Sequence, residues 1–259
     1  DEPLYRFHHV LLRDAAYRRL LKARRAELHE RLAHHVVAEG VDGADETDVA
    51  AALHFERAHR FRLELGESGP DVEALADAAV ERLVASAERA LDRDDLAAAG
   101  GYATRALSLD DRATRRDERL LVGCEARLSA GDVPRSEPLV DELAARGTDD
   151  RVAGWADCFR AQRWTLTDST RLEEAADVAD DAAQRLERLG DDAGVAKARL
   201  VRAAALARRG RIGDCEDELA LALGAARRAD DRRRVAAVLG ATPLAALWGP
   251  SPAARAGGR

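Results

Sequence analysis

A short turn motif recurs along this chain at intervals of 35 to 40 residues, and it constrains the fold more than any other feature of the sequence. When RDDLAAA, AGDVPRS, STRLEEA and RGRIGDC are aligned, an apolar anchor falls at Leu96, Val133, Leu172 and Ile212. AHRFRLE places Phe61 in the same position 35 residues before Leu96. Gly or Asp suits such a turn, because the first helix ends well in the left-handed conformation and the second needs a cap. The period therefore predicts a repeated unit of helix, tight turn and helix.

Helix pairs of this kind bury their apolar faces by stacking on one another. The predicted fold class is accordingly all-α, a right-handed α-solenoid with a concave inner surface. Composition agrees, because 46% hydrophobic residues with only 4% aromatic residues suit helices packed through Ala and Leu.

The clearest single helix follows Pro70, a residue favoured in the first turn of a helix. The apolar positions that follow recur every three or four residues: Val72, Leu75, Ala79, Leu83, Ala87 and Leu91. This stripe predicts an amphipathic helix of about 20 residues.

Residues 5–40 contain two further helical patterns. Leu12, Ala16 and Leu20 form one column, and Leu28 and Leu32 continue to Val36 in the other. A helical hairpin with a wide apolar face is predicted, and such a face needs a neighbour. We therefore divide the chain into a hairpin over residues 1–42, a repeat array over 43–248, and a disordered tail over 249–259, where WGPSPAARAGGR allows no helix.

The segment DDLAAAGGYATRAL resembles a tetratricopeptide repeat, although the period here is longer than is usual and the closing Pro of the consensus is missing. The opening segments FHHVLLRDAAYRRLL, RRAELHERLA and HFERAHRFRLELG resemble the junction between the winged-helix end of a STAND-type ATPase and the tetratricopeptide array that follows it. The matching residues are Phe7, His9, Leu11, Arg13, Asp14, Ala16, Tyr17, Arg25, Leu28, His29, Ala33, His54, Phe55, Ala58 and Leu65.

That resemblance implies a regulatory, protein-interaction or sensor module of a bacterial multidomain signalling protein. A class III adenylate or guanylate cyclase is the preferred output, and a LuxR-type transcription regulator or a free-standing scaffold is the alternative. The resemblance also implies ATP or ADP in an upstream domain. The sequence contains no phosphate-binding loop with Gly-Lys-Ser/Thr, so no cofactor is predicted for this segment. Because Met is absent, we expect a fragment of a longer protein.

Two sets of candidate site residues lie near the start of the chain. The resemblance implies that His9 contacts the nucleotide bound upstream, and capping or packing within the hairpin is the alternative. Five positive charges fall within eight residues: Arg18, Arg19, Lys22, Arg24 and Arg25. This run is either a docking surface for the upstream ATPase domain or a solvated face, with DNA contact as a third reading.

The other chemical motifs are sparse. The histidine pairs lack the spacing of metal ligands, and Cys124, Cys158 and Cys215 form no CxxC pair, so buried apolar thiols are predicted. Trp155, with Phe159 and Trp164, either lines a pocket or packs between repeats. No nucleophile elbow or HExxH motif is present, so the segment is predicted not to be an enzyme.

Charge and hydropathy indicate the environment. The net charge is −7 with acids and bases interleaved, which disfavours binding to nucleic acid. No apolar run is long enough for a membrane span. The predicted location is the cytoplasm, and the predicted partners are the upstream ATPase domain and an unidentified protein or effector on the concave surface.

Overall fold

The computed structural model describes residues 9–40, 44–109, 116–146 and 149–248, and in these residues the chain is all-helical, with no strand. The predicted all-α class is confirmed. The predicted tail at 249–259, the segment boundary at 42–43 and the matched residue Phe7 lie outside the described residues. The helices are α1 (Val10–Arg19), α2 (Lys22–Glu39), α3 (Ala44–Glu64), α4 (Pro70–Asp92), α5 (Leu96–Leu109), α6 (Arg116–Ser129), α7 (Val133–Ala145), α8 (Asp150–Thr167), α9 (Leu172–Arg188), α10 (Asp192–Arg208), α11 (Ile212–Arg228) and α12 (Arg232–Trp248).

The predicted helix after Pro70 is α4, and its apolar stripe is buried. The six buried stripe positions are Val72, Leu75, Ala79, Leu83, Ala87 and Leu91. Pro70 is the first residue of the helix, where its missing N–H would have had no partner in any case.

Four of the five predicted anchors begin a helix. Leu96, Val133, Leu172 and Ile212 are the first residues of α5, α7, α9 and α11. The turns before three of them contain a residue in the left-handed conformation, with φ of 60° at Asp94, 70° at Gly131 and 76° at Gly210. These turns therefore have the chemistry that the repeat pattern predicted.

The fifth anchor is wrong. Phe61 lies inside α3, and the helix continues to Glu64. The segment AHRFRLE has no Gly or Asp to end a helix, whereas Gly66, just beyond Glu64, adopts a φ of 78°.

Contacts divide the chain into two compact units, Asp1–Arg89 with Thr104–Asp111, and Ala90–Ala103 with Arg112–Arg259. In the first unit, α2 packs on α3 through a stripe of Ala26, His29 and Ala33, rather than through Leu28 and Leu32, which are partly exposed. The core of this unit joins α2, α3 and α4 in one apolar cluster.

The first helix of the predicted hairpin buries none of its residues in the described structure. Val10, Leu11 and Leu12 are 53%, 67% and 63% exposed. The two predicted helices are present as α1 and α2, but the apolar face expected on the first of them is open.

In the second unit, consecutive helices from α6 to α12 pack on each other, and contacts also join α6 to α8, α8 to α10, and α10 to α12. The core is rich in Ala, including Ala175, Ala179 and Ala182 on α9. Small side chains allow neighbouring helix axes to approach closely. Within the described residues, no helix is long and apolar enough to cross a membrane.

Candidate functional site

A cavity of about 340 Å³ in the second unit is lined mainly by the alternate helices α6, α8, α10 and α12, with Asp94 and Leu96 near the start of α5 completing the lining. This volume falls in the range of small-molecule and side-chain binding pockets. Its lining residues are Asp94, Leu96, Glu125, Ser129, Gln162, Thr165, Leu166, Lys197, Leu200, Val201, Ala204, Arg208, Arg233, Arg234 and Ala237.

A buried carboxylate, Glu125 on α6, lies at the polar end of the cavity. Lys197 Nζ donates to its Oε1 at 2.9 Å, and Arg233 Nη1 donates to the same oxygen at 3.0 Å. Arg234 Nη2 donates to Oε2 at 3.4 Å, and Ser129 Oγ adds a fourth contact at 3.3 Å. One negative charge therefore has three positive partners from two other helices.

The electrostatics of this cluster favour ionised groups. Burial raises the pKa of Glu125, but the charges of Lys197, Arg234 and Arg233 outweigh it and hold that pKa far below its usual range. Burial lowers the pKa of Arg234, whereas Glu125 and Asp231 raise it, and the net shift is upward. Glu125 therefore remains charged at neutral pH.

Positive charge is in excess in the lining as a whole. The cationic residues are Lys197, Arg208, Arg233 and Arg234, and the carboxylates are Glu125 and Asp94. Arg208 donates from Nη1 to the Thr165 carbonyl oxygen at 2.5 Å, and within the described chain no carboxylate forms a salt bridge with it. The cavity thus offers a guanidinium group without a counter-charge.

Two buried polar atoms in the lining also lack a hydrogen-bond partner among the described residues, Arg234 Nε and Gln162 Oε1. An unsatisfied buried donor or acceptor costs about 1–3 kcal/mol. A bound polar group would recover part of this cost. The lining also contains the apolar side chains of Leu166, Leu200 and Val201, so the cavity suits a ligand with an anionic and an apolar part.

The predicted aromatic cluster lies behind this cavity rather than in its lining. Trp155, Phe159 and Trp164 are all buried, as expected for packing between repeats. Arg234 lies over the Trp155 ring at 5.4 Å, and Lys197 lies over the Phe159 ring at 5.6 Å. The rings therefore stabilise the cations of the cavity from the apolar side.

His9, the residue implied to sense nucleotide, is the N-cap of α1. Its Nδ1 accepts a hydrogen bond from the Leu11 N–H at 3.2 Å, and the residue is exposed. Capping was the alternative reading of this residue, and the nucleotide-sensing role stays a prediction.

The five basic residues of the predicted docking surface lie in the first unit. Lys22 forms a salt bridge with Glu64 at 3.0 Å, and Arg24 forms one with Glu27 at 2.6 Å. Arg25 donates to the Leu20 carbonyl oxygen at 3.0 Å. The remaining two, Arg18 and Arg19, have exposed side chains. This placement does not test the predicted docking role.

Arg25 also lies beside an aromatic and histidine cluster that joins α1, α2 and α3. His29 Nε2 and the Tyr17 hydroxyl share a hydrogen bond of 2.8 Å, and His29 Nδ1 lies 2.9 Å from His54 Nδ1. The Arg25 guanidinium lies over the Tyr17 ring at 4.9 Å. Burial lowers the pKa of His29 to about 4, and it also lowers the pKa of His54.

The three thiols are buried, as predicted. Burial raises the pKa of Cys158 to about 12, which removes thiolate character. In the described part of the chain, no group of three or more His, Cys, Asp or Glu side chains is arranged to hold a metal ion.

Sequence reasoning missed Glu125, Lys197, Arg233 and Arg234. The available signal was the rarity of lysine, since Lys197 is one of only two in the chain. Its partner Glu125 is 72 positions away, so no local spacing relates the two residues.

No protein-family model matches this chain, and comparison with curated proteins also finds no match.

Proposed function

We propose that the second unit is a helical-repeat binding module whose cavity receives an acidic, partly apolar segment of a partner protein. The observation that carries this proposal is the excess of cations over carboxylates in a cavity whose lining also contains apolar side chains. Charged hydrogen bonds to a carboxylate are the strong ones, and desolvated Arg and Lys side chains supply them here.

The order of the lining helices supports a repeat architecture. Alternate helices α6, α8, α10 and α12 supply most of the lining, α5 contributes only its first residue, Leu96, and α7, α9 and α11 take no part in the lining. In a tetratricopeptide-like α-solenoid, the first helix of each pair lines the inner surface, and we propose that arrangement for this unit.

The wider role follows from the sequence resemblance. We propose that the chain is the regulatory sensor module of a cytoplasmic STAND-type ATPase signalling protein, with a nucleotide cyclase as its output. The alternatives are a LuxR-type transcription regulator and a free-standing scaffold. In this proposal, catalysis and ATP binding belong to an upstream domain, which is also a partner of the first helices, and the segment itself is not an enzyme.

Binding is tested with a fluorescein-labelled peptide of alternating Glu and Leu, and with its counterpart that carries Gln in place of Glu. We expect fluorescence anisotropy to show that the acidic peptide binds the full chain, and we expect its affinity to fall as salt is added. Arg208→Ala should lower its affinity about tenfold, the loss of one charge-assisted hydrogen bond.

Arg188→Ala is the matched control, because Arg188 is an exposed arginine at the end of α9 that does not line the cavity. Equal binding of the Glu and Gln peptides, or an Arg208→Ala variant that binds as the unchanged chain does, would overturn the cavity assignment. For the wider role, deletion of residues 43–248 should abolish the response of the parent protein to its stimulus, and an unchanged response would rule that role out.

A further inference from the structure

A second groove, of about 510 Å³, lies within the first unit between α3 and the end of α5. It is lined by Leu53, Glu56, Arg57, His59, Arg60, Leu63, Arg105, Ser108 and Leu109. None of the residues proposed for the cavity of the second unit belongs to it, so this inference does not rest on the function proposed above.

The three arginines of the groove differ in their partners. Arg105 is held by Glu56, with Nε donating to Oε2 at 3.1 Å. Arg60 lies 3.8 Å from a Glu64 carboxylate oxygen and over the Phe61 ring. Arg57 is half-buried, and among the described residues no acceptor or carboxylate pairs with it.

The positive charge of Arg57 acts on two neighbouring histidines. After burial, Arg57 is the next cause that lowers the pKa of His54, and it also lowers the pKa of His29. Among the described residues, no carboxylate forms a salt bridge with this half-buried guanidinium group, so its charge is uncompensated there. A carboxylate brought into the groove would compensate it.

Apolar side chains lie at both ends of this charge. Leu53 is 36% exposed and Leu63 is 52% exposed. They are ten positions apart on α3, which corresponds to about 15 Å along the helix axis. The groove therefore presents leucine, arginine and leucine along nearly three turns, with the walls supplied by two helices.

We propose that this groove binds an amphipathic helix of a partner protein, through an acidic side chain on Arg57 and apolar side chains on Leu53 and Leu63. Partner helices of this kind place their anchors at i, i+3 or i+4, and i+7, and an anchor at i+11 extends the same stripe to about 16 Å, which matches the separation of Leu53 and Leu63. The excess of arginine over glutamate in the lining selects an acidic rather than a basic helix.

The probe is a fluorescein-labelled amphipathic helical peptide with leucines at i, i+4, i+7 and i+11 and one Glu on the same face, together with its Gln counterpart. It is titrated into the full chain with leucine methyl groups labelled for NMR. We expect saturable shifts of the Leu53 and Leu63 methyl signals, and binding about tenfold weaker for the Gln peptide.

Arg57→Ala should lower the affinity for the Glu peptide about tenfold and leave the affinity for the Gln peptide unchanged. The substitution in the protein and the Gln in the peptide remove the same contact, so their effects should not add. Leu63→Ala, at an exposed position, should lower the affinity for both peptides. Arg31→Ala is the matched control, since Arg31 is an exposed arginine of α2 outside the groove.

Three results would overturn the proposal: no methyl shifts at millimolar peptide, equal affinity for both peptides, or full binding by Arg57→Ala. Shifts of the Leu53 and Leu63 methyl signals on addition of dodecanoate, with none on addition of the peptide, would reassign the groove to a fatty acid. Shifts of Leu53 and Leu63 that appear only on raising the protein concentration would reassign it to a second copy of the chain.

Discussion

At the scale of single residues, Glu125 in the second unit is a buried carboxylate with three cationic partners. These partners are Lys197, Arg233 and Arg234. An ion pair that replaces water in the interior contributes little net stability, but the loss of one partner leaves an uncompensated buried charge. Each residue of the cluster is therefore costly to replace, although the cluster as a whole adds little to the free energy of unfolding.

Glu125→Gln should lower the free energy of unfolding by about 3–5 kcal/mol, because three cations would lose their shared counter-charge. Urea denaturation at neutral pH measures this change. Glu174→Gln is the control, since Glu174 pairs with Arg171 on the exposed surface and should shift the midpoint little. Similar midpoints for the two variants would contradict this reading of the cluster.

The His29 cluster predicts a pH dependence of stability. Burial lowers the folded-state pKa of His29 to about 4, and the charges of Arg57 and Arg60 act in the same direction. The unfolded chain binds a proton below its ordinary pKa of about 6.5, whereas the folded chain does not until about 4. Stability from this group is complete above about pH 6.5 and decreases as pH falls towards 4, by at most about 1.4 kcal/mol per pH unit.

Urea unfolding at several pH values between neutrality and pH 4.5 tests this dependence. His29→Gln should show a shallower decrease of stability with falling pH than the unchanged chain. His35→Gln should retain the full decrease, since His35 is exposed and lies outside the His29 cluster. The same slope in all three proteins would show that His29 does not titrate with folding.

At the scale of helices, the sequence predicts structure wherever local chemistry decides it. The stripe of α4 and the starts of α5, α7, α9 and α11 follow from apolar spacing and from turn residues that tolerate a positive φ. Phe61 shows the limit of this reasoning. An aligned anchor without a turn residue is insufficient, because Arg60 and Arg62 are good helix formers and α3 continues through them.

Two glycines inside helices of the second unit should respond oppositely to alanine. A Cβ at Gly101 in α5 meets nothing within 4 Å, so Gly101→Ala should raise the free energy of unfolding by about 0.5–1 kcal/mol. A Cβ at Gly154 in α8 would lie 2.9 Å from Leu186 Cγ, so Gly154→Ala should lower it by about 1–3 kcal/mol. Thermal or urea unfolding measures both, and stabilisation by Gly154→Ala would refute the close packing of α8 on α9.

At the scale of the whole molecule, the charged cavity depends on residues that sequence patterns cannot pair. Glu125 contacts Arg233 and Arg234 across 108 and 109 positions. Helical periodicity identifies which face of each helix is apolar, but the identity of distant polar partners depends on how successive helices stack. The fold class could therefore be predicted from the sequence, whereas the charged cluster required the structure.

All three cysteines lie in the second unit, so their reactivity reports on that unit alone. Burial raises the pKa of each thiol, and native protein should react with an aromatic disulfide reagent only as fast as the second unit opens. The labelling rate should rise with urea, and three thiols should react at once in guanidinium chloride. A thiol that reacts quickly in native protein at a rate independent of urea would contradict this burial.

The long separation of Glu125 from Arg233 and Arg234 also has a kinetic consequence. Nearly every other contact in the second unit joins helices that are adjacent or next-but-one along the chain, and such local contacts close small loops and form quickly. The contacts between α6 and α12 should form late. Before the intervening helices stack, these contacts would have to close a loop of more than 100 residues at a high entropic cost, whereas the stacked helices bring their ends together. Folding of this unit should therefore finish at its charged cavity, and a nascent chain completes the lining of that cavity only after α12 has been synthesised.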